Sequence, residues 1–131
     1  MTEYSERSKD RLLTCDPKLQ VVFAEVIKHF DHAILEGHRD RDAQNEKYRC
    51  GLSKIKWPES KHNTEPSKAV DAVPYPIDWE DRERFHFFAG FVQGISAGLG
   101  IEIRWGGDWD RDTEVNDNRF DDLPHFELVE R

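Results

Sequence analysis

The sequence predicts an α+β domain in which a small, largely antiparallel sheet is packed by helices. Helix-type and strand-type periodicities alternate irregularly along the chain, without the strand–helix–strand rhythm of a doubly wound parallel sheet. The 131 residues are enough for one buried core and leave little room for a second, so residues 1–131 are read as a single domain. A hydrophobic fraction of 37% with four Trp and eight Phe supports a packed globule despite a 35% charged content.

The elements follow in order. Asp16-Pro17 reads as a helix cap with proline in the first turn, and Leu19, Val22, Phe23, Val26 and Phe30 recur behind it at helical spacing. Ala33-Ile34-Leu35-Glu36 is a short apolar strand ending at Gly37, and Asp42 to Tyr48 forms a short helix stopped near Gly51. Lys54 to Ser67, with Pro58, Pro66 and several polar residues, is a surface loop. Ala69-Val70-Asp71-Ala72-Val73 is a strand closed by Pro74 and Pro76. Asp78 heads a long helix with Asp81 at its third position, and Phe85, Phe88, Val92, Ile95 and Leu99 give it an apolar face that Gly100 ends. Ile101 to Trp105 and His125 to Val129 complete the set as strands.

A formal charge of -8 leaves no basic field for a phosphate backbone, which excludes nucleic acid as the expected partner. Cys15 and Cys50 lack both a disulfide framework and paired zinc-finger spacing, and are expected to be buried thiols. The N-terminus is polar and no apolar run approaches the roughly 18 residues of a membrane span. The expectation is a monomer, not inserted in a membrane, that stays in the cytoplasm where it is made until another factor releases it.

Asp71 asks for a chemical explanation, because a carboxylate inside an apolar strand is costly unless it is paired or bound to a metal. A catalytic zinc takes three protein ligands and leaves a fourth position open, and His62, Asp71 and His125 form such a set, contributed by a loop, a strand and a strand start. Two imidazoles and a carboxylate favour Zn2+, although other first-row divalent ions fit the same donors. Residue by residue the plainer alternatives are a loop histidine, a carboxylate paired with an arginine and a capped strand residue. His29, His32, His38 and His86 are assigned to packing or solvated faces. Asp108, Asp110, Asp112, Glu114, Asn116 and Asp117 alternate as in a loop around a hard cation, so Ca2+ is a candidate at Asp108, Asp110, Asp112 and Asp117. The EF-hand pattern is not met, and a solvated acidic loop is the alternative.

From about Leu35 to Leu128 the sequence resembles the M15-type zinc peptidases, above all the L-alanyl-D-glutamate endopeptidases that phages use as endolysins. The stretches that carry the resemblance are Leu35-Glu36-Gly37-His38-Arg39 with Gln44, Ser60-Lys61-His62, Ala69-Val70-Asp71, Trp105-Gly106-Gly107-Asp108-Trp109 and Asp122-Leu123-Pro124-His125-Phe126. It implies the hedgehog/DD-peptidase-like fold, a catalytic core at about 33–129, zinc on His62, Asp71 and His125, and Asp122 as the base, with Asp121 the alternative. It also implies that Arg39 faces the substrate, stabilising an oxyanion or clamping a carboxylate, and that Gln44 and Ser60 touch the substrate. One departure stands out: Asp71 is nine residues after His62 where the family pattern has seven, and Ser67 stands in place of a glycine, so two extra residues, including Pro66, must bulge out of the loop between the ligands, which leaves the cleft rim and substrate choice open.

The implied activity is hydrolysis of the L-alanyl-D-glutamate bond in peptidoglycan stem peptides, inside the host bacterium and against its wall after release. A D-alanyl-D-alanine carboxypeptidase with the same metal site is the nearest enzymatic alternative. A non-catalytic wall-binding or virion module is the alternative of another class, and it would have no need of Asp122.

Overall fold

Asp16 caps the second helix through its side chain, which accepts from the Lys18 N–H at 2.9 Å, and Pro17 occupies the first position. That helix, α2 (Pro17–Val26), buries Leu19, Val22, Phe23 and Val26. The computed structural model describes residues 2–113 and 122–130. Before α2 stands α1 (Glu6–Leu12), capped by Ser5. After it come β1 (His32–Glu36), α3 (Arg41–Arg49), a 3-10 turn (Lys61–Asn63), β2 (Ala69–Pro74), α4 (Arg82–Gly98), β3 (Ile103–Trp105) and β4 (His125–Leu128). The strands form one antiparallel sheet, as expected, and pair in the order β1-β2-β4-β3.

Strand alternation divides the sheet. Val70 and Phe126 face the helices, with the Phe126 ring 5.7 Å from Phe23 of α2 and 6.0 Å from Phe88 of α4. Asp71 and His125 are register partners and therefore share the opposite face. A register shift at Leu35 brings Glu36 opposite Asp71, so Glu36, Asp71 and His125 lie in one row across β1, β2 and β4. Two of the three candidate ligands are thus fixed by sheet hydrogen bonding rather than by a loop.

Three expectations need correction. Asp81, not Asp78, is the N-cap of α4, accepting from the Arg84 N–H at 3.2 Å, while Asp78 heads the preceding turn. Cys50 is exposed at the end of α3, because α3 is polar on every side and buries only Gln44; Cys15 is buried. α1 was not expected at all, since only Ser8 and Leu12 of its seven residues face inward, too few to set a periodicity. No helix among the described residues is long and apolar enough to cross a membrane.

Candidate active site

His62, Asp71 and His125 converge in a cleft of about 630 Å³, each with one donor atom within 4.8 Å of the others. His62 sits in the 3-10 turn, where Ser60 is the cap: its Oγ accepts from the His62 N–H at 3.1 Å, and Asn63 closes a capping box. The Arg39 N–H donates to the His62 carbonyl at 2.7 Å, tying the turn to the end of β1.

The hydrogen bonds settle which ring nitrogens face inward. His62 Nδ1 lies 2.7 Å from the Gly37 carbonyl oxygen, which can only accept, so Nδ1 carries a proton and Nε2 is the nitrogen turned to Asp71 Oδ1, at 3.2 Å. His125 Nε2 donates to Glu127 Oε1 at 2.8 Å, which leaves Nδ1 facing Asp71 Oδ1 at 3.4 Å. Backbone and carboxylate partners of this kind orient metal-binding histidines. Gly37 permits its own close approach: a Cβ there would stand 2.9 Å from Cys15 Sγ and closer still to Thr14 and Arg11.

Charge follows the same arrangement. Burial opposes ionisation of Asp71, but His62 and His125 outweigh it and hold its carboxyl well below the usual carboxylate range. Burial works against a charge on His125 too, yet its bonds to Asp71 and Glu127 carry it up to about 9. When that extra proton leaves, Glu127 keeps the Nε2–H and Nδ1 becomes the available ligand. Glu127 is held ionised against its burial by His125 and Lys61. Three lone-pair donors aimed at one point, one of them an ionised carboxylate, are a set suited to a divalent ion.

Asp122 precedes His125 by three residues and lines the same cleft, its Oδ2 3.9 Å from His125 Nδ1. Burial, reinforced by the neighbouring Asp71 charge, raises its carboxyl above the ordinary value. Its position depends on the Trp105-Gly106-Gly107 segment. The Asp122 N–H donates to the Gly106 carbonyl at 2.9 Å, the Gly106 N–H to the His125 carbonyl at 2.8 Å, and the Trp105 indole N–H to the Leu123 carbonyl at 2.7 Å. Trp109 packs against the His125 ring with centroids 5.4 Å apart.

Arg39 reaches the cleft but is nearly buried and already engaged. It donates to Glu36 from Nε and one terminal nitrogen and to Gln44 Oε1 at 2.7 Å, and stands 3.8 Å from Asp71 Oδ2. Gln44 does not line the cleft. It is fully buried behind Arg39, and its Nε2 donates to the Ile55 carbonyl at 2.7 Å and to Ser53 Oγ at 3.0 Å. The two extra residues between His62 and Asp71 also lie away from the cleft. Residues 64–67 lean on the α1–α2 connection, where the Ser67 N–H donates to the Thr14 carbonyl at 2.9 Å and the Ser67 carbonyl accepts from the Asp16 N–H at 2.8 Å. His38 Nδ1 holds the near end by donating to the Thr64 carbonyl at 3.0 Å.

The carboxylates of Asp108, Asp110 and Asp112 lie within 4.8 Å of one another, with Asp108 buried and accepting from the Thr113 and Asp112 N–H groups. Glu114, Asn116, Asp117 and Asp121 fall outside the described residues. Glu127, which bonds His125 and lines the cleft, is a side chain that the sequence reading passed over. Its signal was an acidic residue two positions after a histidine in a buried alternating strand.

The comparisons with known proteins place the chain among peptidases. Residues 1–129 match the family model described as phage L-alanyl-D-glutamate peptidase, and the chain belongs to that family. It is 31% identical over 121 residues to the L-alanyl-D-glutamate peptidase of Escherichia phage T5, covering 88% of this chain and 87% of that protein. Among solved structures it is similar to the L-Ala D-Glu endopeptidase ChiX of Serratia marcescens, with a TM-score of 0.74 and 27% identity over 96% of this chain and 89% of the other.

Proposed function

We propose that the protein is a zinc-dependent endolysin that hydrolyses the L-alanyl-D-glutamate bond of peptidoglycan stem peptides, acting as a monomer on the host wall after release from the cytoplasm. The observation that carries the metal reading is the convergence of His62, His125 and Asp71, with each imidazole oriented by a partner on its other ring nitrogen. The bond follows from the family and from what its relatives are named for.

His62, Asp71 and His125 would hold the ion, which supplies Lewis acidity at the scissile carbonyl and a lowered pKa for water, toward about 7 for zinc. Asp122 then takes the proton of the attacking water and hands it to the leaving amine of glutamate. A carboxyl raised above its ordinary value is better matched to that exchange than a fully acidic one. Arg39 is the fixed cation of the site: Glu36 and Gln44 hold its plane, and it faces the outer oxygen of Asp71. Ser60 acts by positioning His62, and Gln44 by positioning Arg39 rather than by touching substrate. Trp109 screens one side of His125 from water.

The test is digestion of purified peptidoglycan with the zinc-loaded protein, followed by identification of new termini. New free amines on glutamate support the reading. Released D-alanine would point to a carboxypeptidase instead, and no product to a binding module. An Asp122→Asn variant should keep its metal and lose activity by roughly 10²-fold or more, and full activity in that variant would remove Asp122 as the base.

A further inference from the structure

α3 presents polar residues to solvent on all sides, and two of its side chains break that pattern. Gln44 is fully buried and bonded; Lys47, one turn later on the same face, is half-buried and lines the cleft. A lysine that lines a cleft packs its apolar stem while its ammonium stays available to a counter-charge. Other cations of the cleft have one: Arg39 is paired with Glu36, and Lys61 lies 3.3 Å from Glu127. Among the described residues no carboxylate stands within ion-pairing distance of Lys47, and its backbone carbonyl, not its side chain, receives the Leu52 and Ser53 N–H groups. Lys54 adds positive charge to the same arm of the cleft. In a chain of net charge -8, Lys47 and Lys54 bring positive charge to this arm, and Glu59 lines the cleft with them.

The substrate supplies the missing charge. A glutamyl residue brings two carboxyl groups to the stem; joined onward through one, it keeps the other as an anion only a few bonds from the scissile amide. We propose that Lys47 is the residue that recognises this free carboxylate, so that the cleft selects stem peptides whose glutamate is anionic over those in which it is amidated. The inference rests on the substrate proposed above and deepens it by naming the group recognised. An ammonium that meets a carboxylate in a partly desolvated cleft forms a charge-assisted bond, which a carboxamide cannot reproduce.

The test reads binding rather than turnover, so that it stays separate from the hydrolytic assay. The zinc-loaded protein and its Lys47→Gln and Lys47→Arg variants are titrated with a D-glutamyl dipeptide that keeps one glutamate carboxyl free, and with the same dipeptide carrying a carboxamide there. The expected result is that the wild type binds the carboxylate form roughly five- to tenfold more tightly than the amide. Lys47→Gln should abolish that ratio and Lys47→Arg should keep most of it. An undiminished ratio in Lys47→Gln, equal binding of both dipeptides by the wild type, or binding of neither overturns the proposal. Failure of the hydrolytic reading would show itself elsewhere, as peptidoglycan digestion without new glutamate termini.

Discussion

Substitution of Gly106 by alanine tests whether the position of Asp122, rather than its presence, sets the rate. A Cβ at residue 106 would stand 2.8 Å from the Asp122 carbonyl carbon and 3.0 Å from its Cβ, and would clash more closely still with the carbonyl oxygen. Carbon atoms in contact sit about 3.5–4.0 Å apart, so the Asp122 backbone has to retreat by on the order of 1 Å. That retreat works against three bonds that interlock here: Asp122 N–H to Gly106, Gly106 N–H to His125, and His125 N–H to the Asp122 carbonyl at 3.0 Å. Overpacking of this kind costs about 1–3 kcal/mol of stability, which a domain of this size survives. A displacement of about 1 Å in a reacting group costs roughly 10²-fold in rate. Gly106→Ala should therefore fold, retain one zinc per chain and lose about 10²-fold in kcat on a stem-peptide substrate, with KM little changed. Metal content by elemental analysis, a thermal melt and steady-state hydrolysis measure all three. Wild-type kcat in a folded, zinc-loaded Gly106→Ala protein would refute the reasoning.

Three further outcomes are expected. Glu127→Gln keeps the shape of the side chain but removes the charge that holds the His125 Nε2–H, so zinc affinity in a chelator competition should fall by about 10- to 100-fold; an unchanged affinity removes Glu127 from the site. His32 is buried in the core, and burial, against weaker upward pulls from Phe30 and Asp31, lowers it to about 4. It is neutral when folded, and the unfolded chain takes up a proton below about 6.5, so stability should decline as pH drops from 6.5 toward 4, by roughly 3 kcal/mol at the lower end. Urea melts across that range should show the slope, and His32→Gln should flatten it; an identical slope in the variant sinks the assignment. With zinc saturated, millimolar calcium should raise the melting temperature by a few degrees if Asp108, Asp110 and Asp112 share an ion, and no shift in the melt or in activity would leave them a solvated acidic loop.

The parts of the fold that were legible in the sequence are those whose signal is local. Asp16-Pro17 and the 3.6-residue recurrence after it mark α2 because a cap and an apolar stripe lie within one segment. Gly51 and Gly100 stop α3 and α4 with positive φ, which a neighbouring side chain could not have supplied as cheaply. What stayed hidden is relational. The row of Glu36, Asp71 and His125 exists only once the strands pair and the shift at Leu35 is in place. The resemblance implied that Arg39 and Gln44 touch substrate, and a matched motif carries no information about depth: Arg39 lines the cleft beside Asp71, whereas Gln44 is enclosed behind it. Lys47 gave no signal at all, since a lysine in the last turn of a polar helix is what the helix dipole favours anyway.

The segment 64–67 has a use beyond the fold that it belongs to. His62 is anchored ahead of it by Gly37, Ser60 and Arg39, and Asp71 behind it by two neighbouring strands. Ser67 ties the end of that segment to the N-terminal helices, so its exposed tip at Glu65 and Pro66 is a handle outside the walls of the cleft. Glu65 at its outer side is largely exposed. An engineer wishing to add a targeting peptide to this lysin without touching its chemistry would insert it there, and natural variation in the length of this segment is free to accumulate for the same reason.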